Sequence, residues 1–165
     1  MKQTIIILII FIGVLFALFS TTSFKQSKVV VQNNISKQAI EIKPDEHSDR
    51  YCNMSITEID YSGQAILTNG DTLFFDDIGC MVLWLEEQKN NEQIILWIWA
   101  KDTNEYINAR EAWYHLGENT PMHYGFGAYK KHQANRIDFK ECQLKILRGE
   151  TMKNPKIKGE ILGNN

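Results

Sequence analysis

Sulfur-bearing side chains have the most distinctive chemistry in this sequence. Cys52 and Met54 stand two positions apart in the segment 51–55, and in an extended segment such residues point to the same face. A thiolate and a thioether on one face are soft donors, which select Cu(I) over hard cations. Met122 offers a third sulfur, and His123 stands beside it. These residues are the candidate ligands of a soft-metal site.

The segment that carries Met122, residues 120–129, has the composition of a loop that folds closely around a site. Glycines at 125 and 127 permit a tight backbone path, and Pro121 restricts the entry to the loop. Packing is the ordinary alternative, because cysteine is among the most buried residue types and methionine commonly fills gaps in a core.

Three cysteines make an odd count, so one thiol must remain unpaired within the chain. Bridges between Cys80 and Cys142 and between Cys52 and Cys80 are both open, because connectivity does not follow from sequence. A thiol-redox protein that uses Cys52 and Cys80 is therefore an alternative function. The absence of a Cys-x-x-Cys motif argues against thioredoxin-like chemistry and zinc ribbons.

Composition and motifs exclude several other classes. The chain of 165 residues has 18 Lys and Arg against 20 Asp and Glu, and this net charge of −2 lacks the basic surplus of a nucleic-acid binder. The sequence contains no Gly-x-Ser-x-Gly, His-Glu-x-x-His, phosphate-loop or Gly-x-Gly-x-x-Gly motif. We therefore expect a binding protein and not an enzyme.

The N-terminus predicts export. Residues 5–19 form an apolar run behind Lys2, which is typical of a secretory signal and short for a membrane span. Residues 1–23 are expected to be a cleaved signal peptide or a retained membrane anchor, with a buried core helix as the structural alternative. Lys2 would stay in the cytoplasm, which places the remainder in the periplasm or another extracytoplasmic space.

Composition divides the remaining chain into three parts. Residues 24–49 are mostly polar and predict a linker. Residues 50–148 are expected to form the compact domain, and residues 149–165 a flexible tail. Without residues 1–23 and their single lysine, 17 positive and 20 negative side chains remain, a net charge of −3.

The elements that must position the sulfurs begin with a hairpin, a helix and a strand. Asn69-Gly70 lies between short apolar runs, which is the strongest short-range hairpin signal. Asp76 and Asp77 are expected to be helix caps in preference to hard-metal ligands. Four apolar residues then follow at the spacing of one helix face, namely Ile78, Met81, Val82 and Leu85. The β-prone run 94–99 predicts a buried strand.

A similar order predicts a second unit. Its strands are expected at 106–116, interrupted around 109–112, and at 126–129. Its helix is expected at 130–142 and its last strand at 144–147. The predicted fold class is thus α+β, with two consecutive ββαβ units forming one compact domain.

Four segments occur in an informative order, namely Cys52-Asn-Met54, Phe75-Asp-Asp-Ile-Gly-Cys-Met81, Asn108-Ala-Arg-Glu-Ala-Trp-Tyr114 and Thr120-Pro-Met-His-Tyr-Gly-Phe-Gly-Ala-Tyr129. Together they resemble the NosL family, the nitrous-oxide reductase accessory proteins of denitrification, over residues 50–147. The resemblance implies an exported Cu(I) metallochaperone that helps to assemble the copper-sulfide centre of nitrous-oxide reductase. That enzyme, or its maturation membrane complex, is the implied partner. The family's fold also has two ββαβ units.

The resemblance also implies a set of copper ligands. Cys52 and Met122 carry over most directly, Met54 comes next, and His123 or His47 would complete the site. The implied transfer mechanism is ligand exchange, in which a partner's ligands enter a low-coordinate thiolate–thioether site stepwise.

The sequence departs from the family pattern at two positions beside these ligands. The usual glycine between the cysteine and the methionine is Asn53 here, and the glycine after Thr-Pro-Met is His123. Many relatives are lipoproteins, whereas membrane attachment of this chain would rely on residues 5–23. A pure interaction module, with every sulfur in the core, is the third reading of the sequence.

Overall fold

The structure is a computed structural model that describes residues 11–13 and 27–163. Residues 11–13 are helical, and the rest of the predicted signal or anchor lies outside the described residues. Within the described ranges, no helix has both the length and the apolar character needed to cross a membrane.

Five strands form the main sheet, which is antiparallel throughout and has the order β1-β3-β2-β4-β5. The strands are β1 (Val30–Val31), β2 (Gly63–Ile66), β3 (Thr72–Phe75), β4 (Ile95–Ala100) and β5 (Glu105–Asn108). The β2–β3 hairpin confirms the Asn69-Gly70 prediction, because Gly70 has the positive φ of 87° that glycine adopts without strain. Helix α1 (Ile78–Glu86) follows β3, as its apolar spacing predicted.

The second half of the chain forms a smaller sheet and two helices. Strands β6 (Trp113–Leu116) and β7 (Phe126–Tyr129) pair with each other. They are followed by helices α2 (Phe139–Leu147) and α3 (Pro155–Leu162). The predicted interruption around 109–112 is confirmed, since it separates β5 in the main sheet from β6 in the small one.

The predicted helix at 130–142 and strand at 144–147 are both wrong. The helix starts nine residues later because Asp138 caps it, its side chain accepting a hydrogen bond from the Glu141 amide at 2.8 Å. Phe139, Cys142 and Ile146 then form its buried face, so residues 144–147 continue the helix. The described chain thus has one complete ββαβ unit, formed by β2, β3, α1 and β4. Three strands and two helices follow it, and no strand of the described residues comes after the helices.

The two faces of the main sheet are covered differently. The inner face, with Leu73, Phe75, Leu96 and Ile98, packs in a core shared with α1, α2 and the small sheet. The outer face is partly covered by the chain that precedes β2, and Ile42 and Ile56 pack there against Phe74.

Residues 27–49, which the composition predicts to be a linker, contribute to this packing. They supply β1 and the buried Ile42. The side chain of Gln64, fully buried on β2, donates to the Ile40 carbonyl at 2.7 Å and accepts from the Ile40 amide at 2.9 Å. The predicted tail likewise contains α3. Tertiary hydrogen bonds thus hold a polar segment against the sheet.

Candidate metal centre

A tight loop presents Cys52. It is closed by the Ser48–Ser55 bridge, and the Asp49 amide donates to the Met54 carbonyl at 2.8 Å. The buried Asp49 carboxylate organises the loop, since its Oδ1 accepts hydrogen bonds from the amides of Tyr51 at 2.6 Å and Cys52 at 2.8 Å. The segment is therefore not extended, and the predicted two-residue alternation does not describe it.

The same carboxylate joins this loop to the start of helix α1. Asp49 Oδ2 accepts a hydrogen bond from the amide of Asp76, which follows β3, at 2.9 Å. Asp77 is the cap of α1, as expected, and accepts from the Gly79 amide at 2.9 Å. Cys80 lies in the first turn of the helix and is fully buried. Because α1 follows β3 directly after the Asp77 cap, Cys80 lies behind the Cys52 loop.

Four side chains from these two segments converge. One ligand atom of each of Asp49, Cys52, Asp76 and Cys80 lies within 4.8 Å of the other three. We call this set the thiol–carboxylate group. In the part of the chain that the structure describes, no lysine or arginine nitrogen lies within 4.0 Å of the carboxylates of Asp49 and Asp76. One carboxylate oxygen, Oδ1 of Asp76, is buried without a hydrogen-bond partner.

The environment disfavours negative charge at Cys52, Cys80 and Asp76. Burial, with the charges of Asp49 and Asp76 adding to it, raises the pKa of Cys52 to about 11. Burial and the neighbouring carboxylates also raise the pKa of Cys80 well above its usual range. The pKa of Asp76 is raised by burial and by the hydrogen bond and charge of Asp49. A positive ion bound among these groups would stabilise their charged forms.

The loop with Met122 is attached to the same end of α1. The Asp77 carboxylate accepts hydrogen bonds from the Thr120 hydroxyl at 2.5 Å and from the Met122 amide at 3.3 Å. The Tyr124 ring lies directly on Gly79, where a Cβ would approach its Cγ to 2.0 Å. Position 79 at the start of α1 therefore needs glycine. The loop that is held against this helix start brings Met122 to the end of α1 where Cys80 lies.

Two left-handed residues shape the loops beside the sulfurs. Asn53 has φ 63° and His123 has φ 59°, and both residue types are enriched in this region among non-glycine residues. They are the two positions at which the sequence departs from the glycines of the resembling family. Asn53 and His123 therefore adopt a backbone conformation for which glycine is otherwise preferred.

The remaining predicted ligands have contrasting positions. Cys52 and Met122 are half-buried and pack against the same core, whereas Met54 is 50% exposed. His123 is exposed and lines a separate cavity of about 220 Å³ with Met152. His47 stacks on Phe74, with ring centroids 3.9 Å apart, and lies outside the thiol–carboxylate group. Copper ligation by Cys52, Met54, Met122 and His123 stays a prediction.

Two residues of the thiol–carboxylate group are not among the metal ligands considered from the sequence. Asp49 was not a candidate, and Cys80 was considered for a disulfide or a redox role. The signal for Asp49 was available, because an Asp three residues before Cys52 is the spacing of a side chain that caps a turn. All three cysteines, each within the described chain, are free thiols. Cys142 is fully buried on α2, so neither bridge left open by the sequence is present.

Comparison with known proteins gives a likeness in fold. No protein-family model matches the chain, and no curated protein matches it. A match among solved structures is the crystal structure of the copper chaperone NosL from Shewanella denitrificans, at 21% sequence identity and a TM-score of 0.50. The match covers 68% of this chain and 87% of that chain. The chain thus has a NosL-like α+β fold.

Proposed function

We propose that this protein is an exported Cu(I)-binding metallochaperone, a carrier and not an enzyme. The observation that supports this most strongly is the convergence of the Cys52 and Cys80 thiols, with ligand atoms within 4.8 Å of each other, on a NosL-like fold. Metal–thiolate bonds are about 2.3 Å long, so two sulfurs with an ion between them lie up to about 4.6 Å apart. The two thiols thus suit an ion without a large rearrangement, and thiolates favour Cu(I).

The burial of the sulfurs suits an ion that must enter and leave. Cys80 is fully buried, Cys52 and Met122 are half-buried, and Met54 is half-exposed. A partner's ligand would approach from the exposed side, where Met54 lies, and replace donors in turn. In this proposal Cys80 holds the ion at the inner end until the last exchange.

The recipient proposed from the family resemblance is nitrous-oxide reductase or its maturation membrane complex, during assembly of the copper-sulfide centre. Export through residues 1–23, or anchoring by residues 5–23, would place the protein in the periplasm or an equivalent space. Incubating Cu(I)-loaded protein with copper-free reductase and added sulfide, which supplies the sulfur of the centre, tests this directly. The absorption of the copper-sulfide centre should develop, and it should not develop with the Cys52→Ser variant.

Competition titration against a Cu(I) chelator tests the copper site itself. We expect Cys52→Ser and Cys80→Ser each to weaken Cu(I) binding at least about 100-fold, and Met122→Leu about tenfold, or about 1.4 kcal/mol. Cys142→Ser is the matched control, since Cys142 is an equally buried thiol outside the group. Equal affinity in the Cys52 variant and the Cys142 variant would falsify the assignment.

A glycine substitution separates two roles for His123. If the histidine serves the left-handed backbone, His123→Gly retains the affinity; if its ring ligates copper, the affinity falls. We expect a change of less than about threefold, because His123 is exposed and lines a cavity that is separate from the thiol–carboxylate group. A tenfold loss in His123→Gly, with an unchanged circular dichroism spectrum, would instead establish it as a ligand.

A thiol-redox function remains the second candidate, and the closeness of Cys52 and Cys80 favours it. The raised pKa of Cys52 disfavours it, because redox cysteines attack as thiolates and have lowered pKa values. Mass spectrometry of trapped mixed disulfides discriminates the two. A redox protein should form a mixed disulfide through Cys52 that Cys80 resolves, whereas a copper carrier should show no such turnover.

A further inference from the structure

An aromatic cavity lies on the outer face of the main sheet. It measures about 660 Å³ and is bounded by residues 38–42 on one side and by Trp97, Trp99 and Tyr106 on the sheet. Small-molecule sites fall in the range of about 300–1,000 Å³. No member of the thiol–carboxylate group is among the described residues that line it, so the cavity is separate from the candidate metal centre.

The sheet pattern explains why aromatic rings line this space. Along β4, Leu96 and Ile98 are buried on the inner face, so Trp97 and Trp99 point to the outer face. Tyr106 on β5 stands opposite Trp99 in the register. The rings of Trp99 and Tyr106 lie 5.2 Å apart at 81° to each other. Two walls thus meet at nearly a right angle.

Hydrogen bonds hold two of the three rings in place, whereas the buried Nε1 of Trp99 has no hydrogen-bond partner among the described residues. Trp97 Nε1 donates to the Lys37 carbonyl at 3.2 Å, which ties the ring to the segment that borders the cavity. The Tyr106 hydroxyl lies 2.6 Å from the Ser62 hydroxyl, which is within hydrogen-bond distance. Rings held in this way need little reordering when a ligand binds, which favours affinity.

The charge of the cavity selects the kind of ligand. Glu41 is the one ionisable acid at its border, and no lysine, arginine or histidine is among the described residues that line it. Aromatic faces attract cations through their negative π-surface, and quaternary ammonium groups are bound by such arrangements. We propose that the aromatic cavity is a binding site for a small quaternary ammonium compound, with the methyl groups against Trp97, Trp99 and Tyr106 and the charge facing Glu41.

The test compares choline with 3,3-dimethylbutan-1-ol, which has the same shape and no charge, by isothermal titration calorimetry on the full chain. We expect saturable choline binding, about tenfold tighter than that of the neutral alcohol. Glu41→Gln should weaken choline binding about threefold to tenfold and leave the alcohol unaffected. Glu86→Gln, an exposed glutamate at the end of α1, is the matched control and should change neither.

Trp99→Leu should abolish the preference for the charged ligand, with a thermal melt to establish that the variant is folded. Equal binding of choline and the alcohol, no saturable choline binding, or equal effects of Glu41→Gln and Glu86→Gln would each overturn the proposal. Because none of these variants touches a sulfur ligand, failure here leaves the copper assignment standing.

Discussion

Two buried clusters of ionisable side chains differ in one respect, which is whether the chain supplies a cation. Around Glu118, the Lys101 ammonium and the Tyr129 hydroxyl donate directly to the carboxylate. Tyr61 donates at 3.3 Å, and His115 Nδ1 lies 3.5 Å away. In the thiol–carboxylate group, Asp49 receives backbone amides, and no lysine or arginine of the described chain forms an ion pair with it.

The consequence is visible in the direction of the pKa shifts. Burial acts to raise the pKa of Glu118, but the hydrogen bonds from Lys101 and Tyr129 outweigh it and the pKa is lowered. At Asp76, burial and the neighbouring Asp49 act together, and the pKa is raised. The first cluster is complete as a structural ion pair. The second lacks a positive charge, and an incoming metal ion would provide one.

Removing the internal cation should destabilise the folded protein. Lys101→Met leaves the Glu118 carboxylate, whose side chain is only 12% exposed, without its charged partner. We expect a loss of about 1–2 kcal/mol in the free energy of unfolding, less than for a fully buried pair, because the Lys101 side chain is 23% exposed. Urea denaturation measures it. Lys130→Met, at an exposed ion pair with Glu105, is the control and should change little.

In the thiol–carboxylate group, the lack of a positive charge should make the Cys52 thiol react slowly. A pKa of about 11, against the usual 9.0, lowers the thiolate fraction of Cys52 about 100-fold at pH 8. We therefore expect iodoacetamide to alkylate Cys52 about 100-fold more slowly in the folded, metal-free protein than in the urea-unfolded chain. Rapid alkylation of folded Cys52 at pH 8 would contradict the stated electrostatics of the site.

Asp76→Asn should change the free energy of unfolding with a pH dependence of definite sign. The pKa of Asp76 is raised from 3.8 to about 8, so only well below pH 3.8 is the residue protonated in both folded and unfolded chains. Between pH 4 and 8 the folded protein must retain a proton that the unfolded chain releases, which reduces its stability. The stability of Asp76→Asn relative to the metal-free native chain should therefore rise from pH 4.5 to 8. A constant difference would indicate an unshifted carboxyl group.

The smallest effect is expected for Asn53→Gly. Glycine adopts the left-handed conformation of Asn53 at less steric cost, which stabilises the folded state. It also gives the unfolded chain more conformational freedom, which acts in the opposite direction. We expect the free energy of unfolding to change by less than about 0.5 kcal/mol and Cu(I) affinity to be unchanged. Asn53→Val should destabilise the loop, because a β-branched residue tolerates positive φ poorly.

Local signals in the sequence predicted the first half of the fold. The Asn69-Gly70 turn, the Asp77 cap and the apolar spacing of α1 each act over a few residues, and each is confirmed. In the second half, the predicted bounds of the helix were wrong because they depend on which acidic residue caps α2. Asp138 caps the helix and residues 130–138 remain outside it, so the helix predicted over 130–142 began too early.

Tertiary contacts account for what the sequence could not show. Residues 27–49 have few apolar side chains, and the Gln64 contact with Ile40 joins positions 24 residues apart. In the site, Cys52 and Met122 were predicted from their chemistry. Asp49 acts through backbone amides on two separate segments, and the meeting of Cys80 with Cys52 depends on how α1 packs behind the loop. The contact of Asp49 with the Asp76 amide and the meeting of the two thiols do not follow from spacing along the chain.

Copper K-edge X-ray absorption of the full chain loaded with one equivalent of Cu(I) tests the central claim most directly. The proposed site requires a first shell dominated by sulfur, because Cys52 and Cys80 are its innermost donors and Met122 lies at the same end of α1. The sulfur count should fall by one in Cys52→Ser and stay unchanged in Cys142→Ser. A first shell of nitrogen and oxygen, or a spectrum that Cys52→Ser leaves unaltered, would contradict the account.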